Sequence, residues 1–427
     1  MGYEWILAVI ALAIVPAYIF RYALGVKTYG PGVMWRTMRG LKLLDSLASR
    51  NARAWRAIGD AGAVFAFGVF GAYYVQKTRN HNPLWTVALY AVFLVSAVIA
   101  TFPDALVGKQ VPLFLVFSLV FFGMGGFAVA ALAQHTLKII LDYFTGGAPV
   151  PGIQPIIPGV EIPGAPITVP LSALVGLVVL IIVHELSHGI LSRVEKINVS
   201  SLGILTLGIF PIGAFCETDE KQLAKAKRLK RMRVLTAGSM ANIITGFAFL
   251  GVLTIAMLTL YPALQNELIN NFASINVSGV MNGSPAALAG MSPGTIIYNP
   301  AELLQPANRV PGGLAIIDTS KGPVAMSRDE KGFVGISGYV AEMKGPLPLG
   351  YWTGSLFIEA LSWIVILNFL IGVINFMPFA IFDGARIFRD LLEFYGAPRK
   401  LALKATMGMT YLILVFIIIN VIPYFVR

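Results

Sequence analysis

Long apolar runs separated by short polar segments recur from one end of the chain to the other. A helix needs about 20 apolar residues to cross a hydrocarbon core about 30 Å thick. We expect a transmembrane helix in each run of this length and treat the first as a retained span rather than a cleaved signal peptide. The eight predicted spans are 4–24, 58–76, 84–102, 112–137, 169–193, 235–260, 352–378 and 403–426.

Two apolar segments do not fit the pattern of simple spans. Residues 199–215 are too short to cross, rich in glycine and interrupted by Pro211, which indicates β-strand or re-entrant structure. Residues 272–345 combine Gly, Pro, Val and Ile with mixed charge, as is typical of a small soluble domain of strands. We therefore predict a polytopic α-helical membrane protein of about eight spans, with a membrane-associated β segment and a small β-rich insertion.

Composition supports this fold class and excludes others. The chain is 57% hydrophobic and 12% charged, whereas soluble domains are about 25% charged. The single cysteine, Cys216, excludes an internal disulfide and a cysteine-rich metal site. The net charge of +11 does not indicate a nucleic-acid partner, because the basic residues gather in a few loops, where they report topology and anionic lipid.

The loop charges also predict an orientation. Basic residues cluster in 21–56, in 217–233 and in the stretch after Asp383, and the positive-inside rule places these loops in the cytoplasm. Segments 143–168 and 261–350 then lie outside, as does the short loop 77–83 despite its two basic residues. We expect a multi-pass protein of the cell membrane, with its chemistry near the cytoplasmic side.

The segment His184-Glu185-Leu186-Ser187-His188 is the strongest candidate for chemistry. Two histidines four residues apart lie on one face of a helix, where both imidazoles can bind one Zn²⁺. Glu185, beside the first histidine, can act as general base on a metal-bound water. The preceding residues, Val169 to Val183, carry no charge, so the motif lies inside or nearly inside the bilayer.

A catalytic zinc site needs a third protein ligand. The remaining histidines are His81, in a loop assigned to the far side, and His135, near the outer end of a predicted span. A carboxylate is the better candidate, and Asp383 closes a strongly apolar stretch in which an isolated carboxylate is costly. The predicted topology brings Asp383 and the HELSH motif to the same face at a similar level.

These residues resemble the site-2 protease family of intramembrane zinc metalloproteases. The resemblance rests on HELSH at 184–188 and on NFMPFAIFDG at 375–384, which fits the family pattern N-x-x-P-x-x-x-x-D-G. It extends to PGVEIPG before the motif helix, to GIFPIGAF at 208–215 and to AGSMAN at 237–242. It covers roughly Pro158 to Asp390, so the four N-terminal spans look like a subfamily addition.

The resemblance implies a role for each matching residue. His184, His188 and Asp383 would ligate one Zn²⁺, and Glu185 would be the general base for peptide hydrolysis. Asn375 would help to hold the substrate backbone, and Pro378 would break its helix and free carbonyls to line a polar cavity. Asn242 matches the family's second asparagine, and an interhelical hydrogen bond is the structural alternative for it.

The substrates implied are membrane-spanning segments of other proteins. A helical peptide hides its carbonyls in hydrogen bonds, so we expect it to be unwound and paired with an exposed strand within 199–215. Structural packing beneath the motif helix is the alternative role for that segment.

The insertion has a partial likeness of its own. Residues 280–297 resemble the S-P-A-x-x-A-G-x-x-x-G-D-x-I stretch of PDZ domains inserted in these proteases, with Thr295 in place of the usual Asp. Peptide-tail binding and filtering of substrates by size both remain open. The predicted domains are N-terminal spans in 1–140, an extracytoplasmic loop in 141–168, a first catalytic half in 169–260, a PDZ-like domain in 272–345 and a second catalytic half in 352–427.

Three other functions are alternatives to an intramembrane zinc endopeptidase. A zinc transporter surrounds its HExxH helix with further histidines and carboxylates, and this chain has only two histidines outside the motif. A catalytically silent scaffold would have lost the base or a ligand. A prenyl-protein-processing metallopeptidase does not account for the Asn-Pro-Asp-Gly pattern.

Overall fold

A computed structural model describes residues 27–29, 32–79, 82–101, 112–154, 156–165, 167–207 and 210–425. The chain divides into two compact units. The first comprises Met1–Phe249 and Trp363–Arg427, and the second comprises Leu250–Ser362.

Helices make up most of the described chain, and they differ widely in length. In chain order they are α1 (Leu41–Arg50), α2 (Ala52–Arg79), α3 (Pro83–Thr101), α4 (Leu113–Thr145), α5 (Ala173–Val194), α6 (Glu220–Lys225), α7 (Arg228–Asn270), α8 (Pro285–Leu288), α9 (Pro300–Leu304), α10 (Leu349–Ile374), α11 (Asp383–Phe394) and α12 (Arg399–Val421). The strands are β1 (Lys27–Tyr29), β2 (Gly32–Thr37), β3 (Val199–Leu207), β4 (Phe210–Thr218), β5 (Phe272–Val280), β6 (Ile296–Ile297), β7 (Leu314–Thr319), β8 (Gly322–Ser327) and β9 (Ile336–Met343).

Six of the described helices are long and apolar enough to cross a membrane. They are α2, α4, α5, α7, α10 and α12, the last extended by a 3₁₀ turn to Tyr424. The predicted count of eight is not confirmed: the span at 84–102 corresponds to a shorter apolar helix, Pro83–Ile99, and the span at 4–24 lies outside the described residues. The chain is an integral membrane protein by these six helices.

Several predicted boundaries are corrected. Helix α4 continues to Thr145, past the predicted end at residue 137. Residues 138–145 contain no glycine or proline that would end the helix, and Gly146 forms its C-cap. Helix α10 ends at Ile374, before the predicted end at Pro378, because residues 375–382 form turns. The basic segment 21–56, predicted to be a loop between two spans, contains β1, β2 and α1.

Two of the N-terminal helices, α2 and α4, lose regular helical geometry at the point where they cross. Helix α2 departs from helical geometry at Gly68 (φ 54°), and α4 departs at Gly123 (φ 64°). A Cβ on Gly123 would lie 2.5 Å from the Gly68 nitrogen, and one on Gly68 would collide with the Val120 carbonyl oxygen. Backbone therefore packs directly on backbone where these helices cross, and only glycine fits there.

Strands β1 to β4 form an antiparallel sheet in sequence order within the first unit. The strand interpretation of 199–215 is thus confirmed as the β3–β4 hairpin. Among the described strands, β4 pairs only with β3, so its other edge is unpaired. The second unit contains a five-stranded sheet in the order β8-β7-β6-β5-β9, which confirms strands in 272–345, while its PDZ-like identity stays a prediction.

A buried ion cluster joins three helices of the first unit. Arg233, near the start of α7, donates from Nε to Asp60 of α2 at 2.7 Å and from Nη1 to Glu195, just after α5, at 2.9 Å. The side chains of Asp60 and Glu195 are 0% and 2% exposed. Arg79 also donates to Asp60, at 2.6 Å. Buried charges persist only when paired in this way, so α2 is anchored to the helices that carry the motif residues.

Candidate metal centre

The two motif histidines project from one face of α5. Their Nε2 atoms are 3.2 Å apart, and the side chains are 12% and 13% exposed. His184 lies eleven residues after Ala173, about 16 Å along the helix at 1.5 Å per residue. His184 therefore lies at the midpoint of α5, and His188 lies about one turn further along it.

Asp383 reaches the same point from a different element. After α10 ends, the chain turns through residues 375–382, and the Gly384 N–H donates to the Asn375 carbonyl at 2.8 Å, which closes the turn. Asp383 is the first residue of α11. Its Oδ2 lies 3.1 Å from Nε2 of His188 and 3.4 Å from Nε2 of His184. Burial alone would raise the pKa of the Asp383 carboxyl, but the two imidazoles outweigh it and hold that pKa below its usual range. The ionised form is the one that binds a cation.

The three ligand atoms match the geometry of tetrahedral zinc. Zn–N and Zn–O bonds of about 2.0–2.2 Å place neighbouring ligands of a tetrahedron about 3.3 Å apart, and the three measured separations are 3.1, 3.2 and 3.4 Å. Among the described residues, His184, His188 and Asp383 form the one group of three such side chains able to hold a metal ion. The donor set fits Zn²⁺.

Helix α7 supplies the surroundings of this group. The Val234 carbonyl accepts a hydrogen bond from Nδ1 of His188 at 2.7 Å, which orients the ring with Nε2 toward the metal position. Gly238 lies against both rings: a Cβ there would be 2.5 Å from each Nε2 atom. Only a residue without a side chain leaves the metal position open.

Asn242 makes the corresponding contact with His184. Its Nδ2 lies 3.1 Å from Nδ1 of His184, and its Oδ1 is buried with no hydrogen-bond partner among the described residues. When Nε2 of His184 binds a metal, Nδ1 carries the proton and needs an acceptor. A half-turn of the amide brings Oδ1 to that proton. The unsatisfied oxygen is thus explained by a metal-bound His184.

Glu185 faces the same cavity and is held by the edge of the sheet. The Cys216 backbone N–H, on β4, donates to Oε2 of Glu185 at 3.0 Å. Burial, reinforced by the nearby Glu185 carboxylate, raises the pKa of the Cys216 thiol to about 12. The thiol is therefore protonated at neutral pH, and Cys216 contributes its backbone rather than its sulfur.

A cavity of about 520 Å³ contains these groups. Its lining includes the metal-binding group, Glu185, Asn375 and the β4 residues Gly213, Ala214 and Cys216. Pro378 is buried and does not line this cavity. His135 lies elsewhere, with Nε2 3.2 Å from the Val150 carbonyl, and His81 lies outside the described residues. The structure thus brings together six of the seven residues that the sequence indicates, with Asn242 behind the His184 ring.

Comparison with known proteins identifies the family. A family model of peptidase family M50 matches residues 172–419, which include every one of these residues. The chain belongs to peptidase family M50. This is the site-2 protease family, a family of membrane metalloproteases. An uncharacterised protein of Methanocaldococcus jannaschii is 26% identical over 227 residues, which are 52% of this chain and 57% of that protein.

Three residues of the M50 site escaped the sequence analysis as individuals: Val234, Gly238 and the backbone of Cys216. Gly238 falls within the segment AGSMAN that carried part of the family resemblance. The sequence signal for Gly238 is its spacing of four residues from Asn242, which puts both on one face of a helix. No local pattern singled out Val234 or the Cys216 amide.

Proposed function

We propose that this M50 member is an intramembrane zinc endopeptidase that cuts within or near the membrane-spanning segments of other proteins. The observation that carries the proposal is the tetrahedral spacing of His184, His188 and Asp383 in one cavity with the Glu185 carboxylate. We further propose that it resides in the cell membrane with this cavity toward the cytoplasmic side.

Each residue has a chemical task in the proposed hydrolysis. Zinc held by the three ligands would acidify water and act as a Lewis acid toward a peptide carbonyl. Glu185 accepts the proton from water and passes it to the leaving amine, and the Cys216 N–H keeps its carboxylate aimed into the cavity. Val234 and Asn242 hold the two rings in the ligating orientation.

The open edge of β4 supports binding of an extended substrate. Ala214 and Cys216 pair with Ile204 and Leu202 of β3, and the Cys216 N–H points away from β3 toward Glu185. Because backbone direction alternates with a period of two, the N–H and C=O of Ala214 face the same side. An unwound substrate that pairs there would recover its lost hydrogen bonds beside the general base. Asn375, which lines the same cavity, is proposed to hold the substrate backbone as well.

A metal transporter is the main alternative, and the structure gives it little support. Transport needs successive binding sites along a path, whereas the described residues contain one group of three metal-binding side chains. That group has an unligated carboxylate, Glu185, beside it, as hydrolysis requires.

The test pairs zinc content with cleavage in the reconstituted full chain. The probes are single-span membrane proteins tagged at both ends. We expect Glu185→Gln to retain one zinc per chain and to lose cleavage, because only the base is changed. The control is Glu267→Gln, at an exposed glutamate near the end of α7. Undiminished cleavage by Glu185→Gln would remove this residue as the base. Full zinc occupancy in Asp383→Ala would remove Asp383 from the ligand set.

A further inference from the structure

A second cavity, of about 360 Å³, lies next to the metal-centre cavity. The two share the lining residues Leu235 and Arg386. The second cavity is formed where the end of α6, the first turns of α7, one face of α11 and the start of α12 come together. Neither the proposed hydrolysis nor its ligands use this cavity.

Its lining is strongly basic. Five cationic side chains contribute to it: Lys225, Arg231, Arg386, Arg389 and Arg399. Against them stand two acidic side chains, Asp390 and Glu393. The cavity therefore carries an excess of three positive charges, and an anion is the ligand that this excess favours.

Part of the charge is already used within the protein. Arg231 pairs with Asp390, and Arg386 donates to Glu220 at 2.6 and 3.2 Å. By contrast, Lys225, Arg389 and Arg399 have no carboxylate within 4.0 Å among the described residues. Three cations that line one cavity without internal partners remain available to a ligand.

The backbone reinforces the same preference. Arg399 is the first residue of α12, and Arg231 lies in the first turn of α7. Helix N-termini carry a positive partial charge and unpaired N–H groups, and both favour anions. On α11, Arg386 and Arg389 are three residues apart and share one helix face. The first residues of α7 and α12 and this face of α11 therefore all line one cavity.

The position of the cavity indicates the class of anion that would reach it. Helices α7 and α12 are both long and apolar enough to cross a membrane, and the cavity lies at the first residues of each. The ends of spanning helices lie at the level of lipid headgroups. Basic pockets between such helices bind anionic headgroups in other membrane proteins. A soluble acidic peptide has no comparable reason to be held at this level.

We propose that this cavity binds the phosphate-bearing headgroup of an anionic phospholipid beside the metal-centre cavity. Lys225, Arg389 and Arg399 supply the charge-assisted hydrogen bonds to the phosphate oxygens. The bound headgroup would tie α11, which begins with Asp383, to α7, which carries Gly238 and Asn242.

The test uses the full chain in nanodiscs of phosphatidylcholine, with and without a minor fraction of phosphatidylglycerol. Native mass spectrometry counts retained phosphatidylglycerol, and thermal unfolding measures protection. We expect Arg389→Gln with Arg399→Gln to weaken retention about 30-fold, because two of the basic residues that hold the headgroup are lost. Arg399→Gln alone, at an exposed residue, is expected to weaken lipid retention by about half as much as the double variant on a logarithmic scale.

The matched control is Arg50→Gln with Arg53→Gln, which removes the same charge from exposed arginines that do not line the cavity. Zinc content reports whether each variant is folded. Equal loss of lipid in the control would overturn the proposal in favour of diffuse surface charge. Equal protection by inorganic phosphate in pure phosphatidylcholine would reassign the site to a free anion. Binding of polyglutamate through Arg389 and Arg399, without lipid binding, would reassign it to an acidic peptide.

Discussion

Replacing Gly238 by alanine adds a single methyl group at the most sensitive point of the site. The new Cβ would lie 2.5 Å from Nε2 of His184 and 2.5 Å from Nε2 of His188. These are the two atoms that face the metal position. The substitution removes no ligand and no charge, so its effect on zinc measures how closely α7 fits over the metal group.

The size of the effect follows from these distances. Ordinary contacts of a Cβ lie at 3.4–4 Å, so each imidazole has to withdraw by about 0.9 Å, whereas metal–ligand distances tolerate changes of about 0.2 Å. Disturbing only the groups that orient a ligand costs about 10- to 100-fold in metal affinity. We therefore expect Gly238→Ala to weaken zinc binding by at least about 100-fold.

Zinc per chain is measured by mass spectrometry of the metal, and affinity by competition with a chelator. Gly251→Ala is the control on the same helix, because a Cβ there meets nothing within 4 Å. That variant should bind zinc as wild type does. The zinc-free forms of both variants should unfold at similar temperatures, which shows that the loss concerns the site. Wild-type zinc affinity in Gly238→Ala would refute the assigned arrangement of α5 and α7.

Further predictions concern the groups around the centre. Asn242→Ala should weaken zinc binding by about 10- to 100-fold. Asn242→Asp keeps a hydrogen-bond acceptor for His184 and should retain most of the zinc affinity. Equal zinc affinities of these two variants in a chelator titration would contradict the prediction. Asp60→Asn should destabilise the fold by about 3–5 kcal/mol, because the buried Arg233 loses one of its two carboxylate partners and Arg79 loses its ion pair. Asp142→Asn, which breaks an exposed pair with Lys138, should cost less than about 1 kcal/mol, and similar unfolding midpoints for the two variants would contradict this prediction. The pKa of the Cys216 thiol is about 12, against an ordinary value of 9.0. The thiol should therefore be alkylated at pH 8 on the order of a thousandfold more slowly than an ordinary cysteine. Rapid labelling of the folded protein would contradict this, because it would show the thiol to be ionised.

The parts of the site that follow local rules could be predicted from the sequence. Two histidines four residues apart share a helix face whatever surrounds them. Asp383 was found because an isolated carboxylate in an apolar stretch is costly without a partner. Both arguments concern short segments and strong energies, and the structure brings all three side chains within metal-binding distance.

The remaining parts depend on contacts between distant segments. Strand β2 belongs to a basic segment that has no strand pattern of its own, and it is held by pairing with β3 some 170 residues later in the chain. The breaks in α2 and α4 exist because Gly68 and Gly123 meet. Val234 and the Cys216 amide act through backbone groups, which every residue has. No local pattern marks such positions, so the structure was needed to find them.

The most direct test of the central claim is zinc K-edge X-ray absorption spectroscopy on the purified full chain. The assignment of His184, His188 and Asp383 predicts one zinc with nitrogen and oxygen neighbours at about 2.0–2.2 Å and outer-shell scattering from two imidazoles. Sulfur at about 2.3 Å, or outer-shell scattering from any number of imidazoles other than two, would contradict it.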